Sequence, residues 1–237
     1  MTEGSEAAAA AASDPGLAGL EVHLVTRRVA ERITTLQTPP DVMAVLPLTD
    51  PPPLESLCRA DLLAVYADRV ADPGNMGTLV RAAAAFAAAA LIASPECVDL
   101  YSPKVVRGSM GAIFAVPLYR EMQLAEAARE LGATRVYGLV ARGGAPLWSV
   151  ELVRPALVCV GAERAGLGEL VLRQVSDRVT IPLAEGGSAG VESLNAGVAG
   201  AVALYEFARR AAIAGGEARP ASASPPARHR RPAEDKE

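Results

Sequence analysis

From residue 62 onward, short apolar runs alternate with longer stretches of helical pattern, and this alternation restricts the fold more than any other feature of the chain. Several of the runs, most clearly 62–67, 136–140 and 156–160, have no polar face. Strands apolar on both faces need cover on both, as in a parallel sheet with crossover helices above and below it. Strands are therefore expected at 62–67, 91–93, 113–117, 136–140, 156–160 and 178–182, and helices at 76–90, 105–110, 123–131, 167–175 and 194–210. The fold class is α/β: a mostly parallel sheet covered by helices.

The flanks read differently. Residues 1–19 and 213–237 are dominated by small, polar and charged residues and cannot bury enough apolar surface to offset their ordering entropy, so both are expected as disordered tails. Residues 20–37 suit a short amphipathic helix, Thr38-Pro39-Pro40 stops it, and 42–46 suits a strand. Pro51, Pro52 and Pro53 favour extended, semi-rigid chain. The expected organisation is a tail at 1–19, a small N-terminal region at 20–50, a linker at 51–59, the main domain at 60–212 and a tail at 213–237.

Composition removes several function classes. The net charge of −4 supplies no overall basic field, although a local patch suffices to hold a polyanion. Aromatic residues make up only 4%, which argues against recognition by rows of stacking rings. The two histidines, His23 and His229, argue against a histidine-based triad or zinc site, and no metal is expected. Cys58, Cys97 and Cys159 are far apart, odd in number and without a CxxC pair. They read as reduced thiols in a cytoplasmic protein, with Cys159 as core packing. No secretory signal is visible, and the longest apolar run, 82–93, is short of the roughly 20 residues of a membrane span.

Three segments carry polar residues that packing does not require. In Asp72-Pro73-Gly74-Asn75-Met76-Gly77-Thr78-Leu79-Val80-Arg81, Asn75 is placed to cap a helix and Gly77 permits close approach. Arg81 falls within the first two turns, near the strand ends where open α/β sheets bind ligands. The alternative is that Asn75 only caps and Arg81 is solvated. The second segment runs from Val158 through Gly161, Glu163 and Gly166 to Gly168. Its glycine spacing imitates a phosphate loop, but Leu167-Gly168 stands where Lys-Ser/Thr is needed, and no G-x-G-x-x-G is present. What remains is a turn offering backbone N–H groups and Glu163, or a plain strand-to-helix connection. In the third, Glu192-Ser193-Leu194-Asn195-Ala196-Gly197-Val198-Ala199, Ser193 can cap the last helix. Asn195, a weak helix former in the first turn beside Gly197, suits contact with a ligand.

In this order the three segments resemble the SpoU/TrmH family of RNA ribose methyltransferases, within the SPOUT class. The resemblance rests on Asp-Pro-Gly-Asn-Met-Gly-x-x-x-Arg at 72–81, Gly-Ala-Glu-x-x-Gly-Leu at 161–167 with Ile181-Pro182-Leu183, and Ser-Leu-Asn-x-x-Val-Ala at 193–199. The stretch from Tyr101 to Gly111 is similar to the family's segment between the first two motifs, and the likeness covers about residues 60–211. It implies a C-terminal trefoil knot, S-adenosyl-L-methionine as cofactor, an RNA substrate and a homodimer with shared active sites. Residue by residue, Gly161, Ile181 and Leu194 match cofactor-binding positions. Asn75, Arg81, Glu163, Ser193 and Asn195 match the polar active-site set, and Arg107 and Lys104 match positions facing RNA. Three departures stand out: Phe86-Ala87 in place of Phe-Gly, a longer loop between Leu183 and Ser193, and residues 22–46 resembling only the last helix and strand of an N-terminal RNA-binding domain. That remnant points to ribosomal rather than transfer RNA.

The implied reaction moves a methyl group from a sulfonium to a ribose 2′-hydroxyl. A guanidinium is effectively always protonated, so Arg81 suits holding the adjacent phosphate and lowering the hydroxyl's pKa better than acting as a base. The competing readings are a transfer-RNA methyltransferase, a non-catalytic RNA-binding relative that keeps the fold, and an ordinary nucleotide-binding α/β enzyme.

Overall fold

The computed structural model describes residues 21–48, 50–184 and 193–214. The chain forms two compact units, divided between Asp50 and Pro51. The proposed tails fall outside the described residues, except that the last helix continues through Ile213 and Ala214. In the first unit, α1 (Arg27–Ile33) is shorter than the 20–37 helix expected, because Thr34 turns extended at ψ 150°. Residues 42–46 pair as a strand with no described residue, and Val45 is fully exposed. An extended segment without a partner gains no ladder hydrogen bonds.

The second unit is a seven-stranded, wholly parallel sheet in the order β3-β2-β1-β6-β4-β7-β5. Its strands are β1 (Leu63–Asp68), β2 (Leu91–Ala93), β3 (Leu118–Tyr119), β4 (Arg135–Leu139), β5 (Ala145–Pro146), β6 (Ala156–Gly161) and β7 (Asp177–Thr180). The central β1, β2 and β6 are buried throughout. Period-two alternation splits their side chains between two cores. Leu63, Val65 and Ala67 face a core shared with Met76, Leu79 and Val80 of α2 (Pro73–Ala85) and Ala203, Leu204 and Phe207 of α6 (Ala196–Ala214). Ala64 and Tyr66 face the opposite core, with Leu124 and Ala127 of α4 (Leu124–Glu130) and Val171 of α5 (Glu169–Leu172). Cys159 lies fully buried in that second core, where burial pushes its thiol pKa up. Among the described residues, no helix is long and apolar enough to cross a membrane.

Three further expectations need correction, and one strand is not visible in the sequence pattern. Residues 51–59 do more than link: a 3-10 turn at Leu54–Leu57 buries Leu54, and the Tyr119 hydroxyl donates to Pro52 O at 2.7 Å. The strand placed at 113–117 is instead a 3-10 turn at Ala112–Phe114, followed by β3. Pro117 offers only its carbonyl, which accepts from Leu91 N, so regular pairing begins after it. The helix at 167–175 shrinks to α5, since Gly166 (φ 65°) and the packing of Leu167 hold the preceding loop non-helical. The short edge strand β5 was not foreseen; its exposed Ala-Pro pair lacks the apolar pattern of a strand.

Close helix packing relies on small residues. A Cβ on Gly77 would lie 2.8 Å from the backbone of Gly108, at the end of α3 (Pro103–Gly108). On α6, Gly197 abuts Thr78 and Gly200 abuts Leu79, which seats α6 along α2. At its far end, Arg210 donates to the carbonyls of Leu147 and Val150 and pairs with Glu206, which also receives two hydrogen bonds from Arg209.

Helix α2 closes in a Schellman turn, with Ala88 N donating to Ala83 O and Ala87 N to Ala84 O, and this places Ala87 at φ 53°. A Cβ in that left-handed region is strained, so Ala in place of the family's Gly at 87 introduces backbone strain. Ala87→Gly should raise stability by about 1 kcal/mol in urea denaturation; an unchanged or lowered midpoint contradicts the strain. Glu206 is held down at about 2, by Arg209 first and Arg210 next, against the opposing effect of burial. A depressed carboxylate pKa stabilises the fold above the unfolded value of about 4.3 and ceases to do so as pH falls through the folded value. Glu206→Gln should therefore cost about 1 kcal/mol at pH 7 after solvent screening, a deficit that shrinks between pH 5 and 2. A deficit independent of pH would contradict the ion-pair account.

Candidate active site

The carboxyl ends of β1 and β6 are in register, Asp68 opposite Gly161, and the connections leaving them face the edge where parallel sheets bind ligands. After β6 the chain folds back on itself. Gly166 N donates to Ala162 O at 2.9 Å, and a Cβ on Gly161 would lie 2.3 Å from the Gly166 carbonyl carbon. Only glycine at 161 allows this return.

Helix α2 opens after β1 with Asp72, not Asn75, as its cap: the Asp72 carboxylate accepts from Asn75 N at 2.8 Å, and Pro73 occupies the first turn. Asn75 is left at the third helical position, 6% exposed, with its side-chain amide free for long-range bonds. Its Nδ2 donates to Glu163 Oε1, and its Oδ1 accepts from Asn195 Nδ2. Asn195 Oδ1 in turn accepts from Val198 N at 3.2 Å, so Asn195 caps α6. Ser193, the cap expected from the sequence, makes no such bond and instead lines the cavity. The amide orientations are forced. A carboxylate only accepts, so Asn75 must present its NH2 to Glu163, which leaves its oxygen for the NH2 of Asn195.

Beside this chain of bonds lies a cavity of about 510 Å3. Gly161, Ile181 and Leu194, the three residues matched to cofactor positions, all line it, as do Glu163 and Ser193. Asn75 and Asn195 do not line it themselves; Asn75 is bonded to the lining residue Glu163, and Asn195 lies between the lining residues Leu194 and Ala196. Arg81 does not line it; the side chain is exposed on α2 and has no ion-pair partner among the described residues. Lys104 and Arg107 are exposed on α3, which Gly77 and Gly108 hold against α2. The sequence reading missed the wall formed by Leu139, Val140, Ala141 and Arg142 at the end of β4. Its signal lies in strand order, since β4 neighbours β6 in the sheet. Among the described residues, no group of three or more His, Cys, Asp or Glu is placed to hold a metal ion.

Residues 62–205, more than half of the chain, match the SpoU rRNA Methylase family. A Streptomyces viridochromogenes protein named 23S rRNA (uridine(2479)-2′-O)-methyltransferase is 35% identical over 185 residues, covering 73% of this chain and 62% of that protein. A Bacillus subtilis protein named 23S rRNA (guanosine(2553)-2′-O)-methyltransferase is 30% identical over 191 residues, covering 80% of this chain and 73% of its own. The crystal structure of the SpoU methyltransferase AviRb from S. viridochromogenes, in complex with the cofactor AdoMet, superposes with a TM-score of 0.59 at 34% identity, over 65% of this chain and 62% of that one. The chain thus spans about three fifths of the Streptomyces relative's length. With the second and third motifs lining one cavity, the first bonded to it through Asn75 and Glu163, and this match across all three, the chain belongs to the SpoU rRNA methylase family.

Proposed function

We propose that the protein is an S-adenosylmethionine-dependent RNA methyltransferase that modifies a ribose 2′-hydroxyl, with ribosomal RNA as its substrate. The observation that carries this reading is the Glu163–Asn75–Asn195 chain of hydrogen bonds, drawn from all three motifs and set against the cavity. The named relatives, two of them 23S rRNA 2′-O-methyltransferases, support the choice of reaction and substrate.

The cavity suits the cofactor. Its volume falls in the usual range for small-ligand sites, and its walls are largely apolar, including Leu139, Val160, Ile181 and Leu194. Among the described residues no lysine lines it, though Arg142 and Arg164 do, and the glycine turn lacks the Lys-Ser/Thr of a phosphate loop while offering backbone groups suited to adenine and methionine. Gly161, Ile181 and Leu194 would hold the cofactor, and Ser193 would help orient it. When bound, it supplies a methyl group on a good leaving group.

The protein's task is then alignment and proton removal. Among the described residues, Glu163 has one carboxylate oxygen outside this chain of bonds, and Asn75 and Asn195 keep one amide N–H each. These groups are positioned to orient the ribose or a partner arginine. Arg81 would grip the phosphate beside the target hydroxyl in a planar two-point contact and lower the hydroxyl's pKa, with the phosphate or a water taking the proton.

Because Arg81 lies outside the cavity of its own chain, the site would be completed by a second copy. Support comes from α6, which exposes Val198, Val202 and Tyr205 in a stripe at helical spacing, with Tyr205 edge-on to Phe86 at the end of α2. In this reading the homodimer packs these helices together, and the chain from β6 to α6 is tied in the family's trefoil knot. Lys104 and Arg107 would meet the RNA backbone, helped by the unit before Pro51, and the protein would work in the cytoplasm.

The test is single-turnover methyl transfer to ribosomal RNA with saturating labelled cofactor, alongside calorimetry with S-adenosylhomocysteine. Arg81→Ala should slow transfer by about 100-fold or more with cofactor affinity nearly unchanged. Arg81→Lys should recover little, since an ammonium lacks the planar fork. Equal rates for wild type and Arg81→Ala would remove Arg81 from the mechanism. Binding of the cofactor without transfer to any RNA would favour a non-catalytic relative.

A further inference from the structure

We infer that Asp68 and Arg69 form a latch that presets the loop at 162–168 in its ligand-ready shape, making them positioning residues for the cofactor; this rests on reading the cavity as the cofactor site. Neither residue lines the cavity or touches the Glu163–Asn75–Asn195 chain. Asp68 ends β1 and Arg69 follows it.

Asp68 is a buried carboxylate, 4% exposed, in register with Gly161. Its Oδ2 accepts a hydrogen bond of 2.6 Å from Gly168 N, the residue that closes the loop and opens α5. The same oxygen lies 3.5 Å from Arg69 Nε. A buried carboxylate is tolerated when it is paired in this way.

Arg69 has left-handed backbone, φ 56°, a conformation that an arginine adopts only when its surroundings impose it. Here Arg69 N donates to Ser94 Oγ at 2.9 Å. The side chain lies along the loop, where Nη2 donates to Gly166 O at 3.2 Å. The guanidinium is packed so tightly that a Cβ on Gly168 would sit 3.1 Å from its Cζ and Nη2. The loop is therefore pinned at Gly166 and Gly168 by β1, while its own return at Gly161 closes the other side.

Residues 162–167 of this loop line the cavity, Glu163 among them. The loop's one internal bridge, Ala162 to Gly166, leaves most of it to be ordered from outside. A loop ordered only on binding would lose affinity to that ordering, whereas a loop already held does not. Asp68, held by burial, and Arg69, half-exposed but held by its backbone conformation and its bonds to Ser94 and Gly166, accomplish this without occupying ligand space.

The test uses the full chain with Asp68→Ala, Asp68→Asn and Arg69→Asn, measuring amide hydrogen exchange without ligand, S-adenosylhomocysteine binding by calorimetry, and thermal midpoints. Asparagine accepts left-handed backbone, so Arg69→Asn removes the guanidinium while keeping the turn. Asp68→Ala and Arg69→Asn should speed exchange across 162–168 selectively and weaken binding about tenfold or more. Asp68→Asn keeps an acceptor for Gly168 N and should lose about threefold. Unchanged loop exchange in Arg69→Asn and Asp68→Asn overturns the latch, as does faster exchange spread evenly over β1, β6 and the helices with the midpoint falling in step. If wild type itself fails to bind S-adenosylhomocysteine, the cofactor reading fails, and loop exchange alone decides the latch.

Discussion

The side-chain amide of Asn75 is bonded to residues 88 and 120 positions away in the chain, and the arrangement of the site depends on it. It must donate to a carboxylate on one side and accept from an amide on the other, and no carboxylate, cationic or apolar side chain offers both. Asp in its place would set one acceptor against Glu163. Leu would leave Glu163 and Asn195 without a partner at a position that is almost fully buried. The network thus couples the loop after β6, the start of α2 and the start of α6 through a single residue.

That coupling works because the elements carrying the three side chains are fixed independently. Asp72 and Pro73 set where α2 begins, which puts Asn75 at its third position. Gly197 and Gly200 let α6 lie close along α2, with Asn75 O only 3.1 Å from where a Cβ on Gly197 would be. Gly161 lets the loop return over the end of β6 and deliver Glu163. Each glycine replaces a side chain by a backbone approach, and each approach shortens the path between two motifs. The same geometry leaves Arg81 outward on α2, outside the cavity of its own chain.

Much of this was legible in the sequence, for identifiable reasons. Strands β2 and β6 stand almost where uninterrupted apolar runs placed them, because burial on both faces leaves no other pattern. Asn75, Glu163 and Asn195 were recognisable as polar residues at strand-to-helix turns, and the three cofactor-position residues do share one cavity. Their local duties were not legible. Asp72 and not Asn75 caps α2, and Asn195 and not Ser193 caps α6, because either residue of each pair has the chemistry and only the backbone path chooses. The β4 wall and the Asp68–Arg69 contacts depend on strand order and on bonds across about a hundred residues, which no local pattern carries.

In the proposed reaction Asn75 and Asn195 act as one unit with Glu163, and a double-mutant cycle measures that coupling directly. Single-turnover methyl transfer would be compared among wild type, Asn75→Ala, Asn195→Ala and the double variant. Groups that share a hydrogen-bond network should couple by about 1 kcal/mol or more, so the second substitution should cost far less after the first has been made. Barrier changes that add to within about 0.5 kcal/mol would contradict the account, because they would mean that the two asparagines act independently.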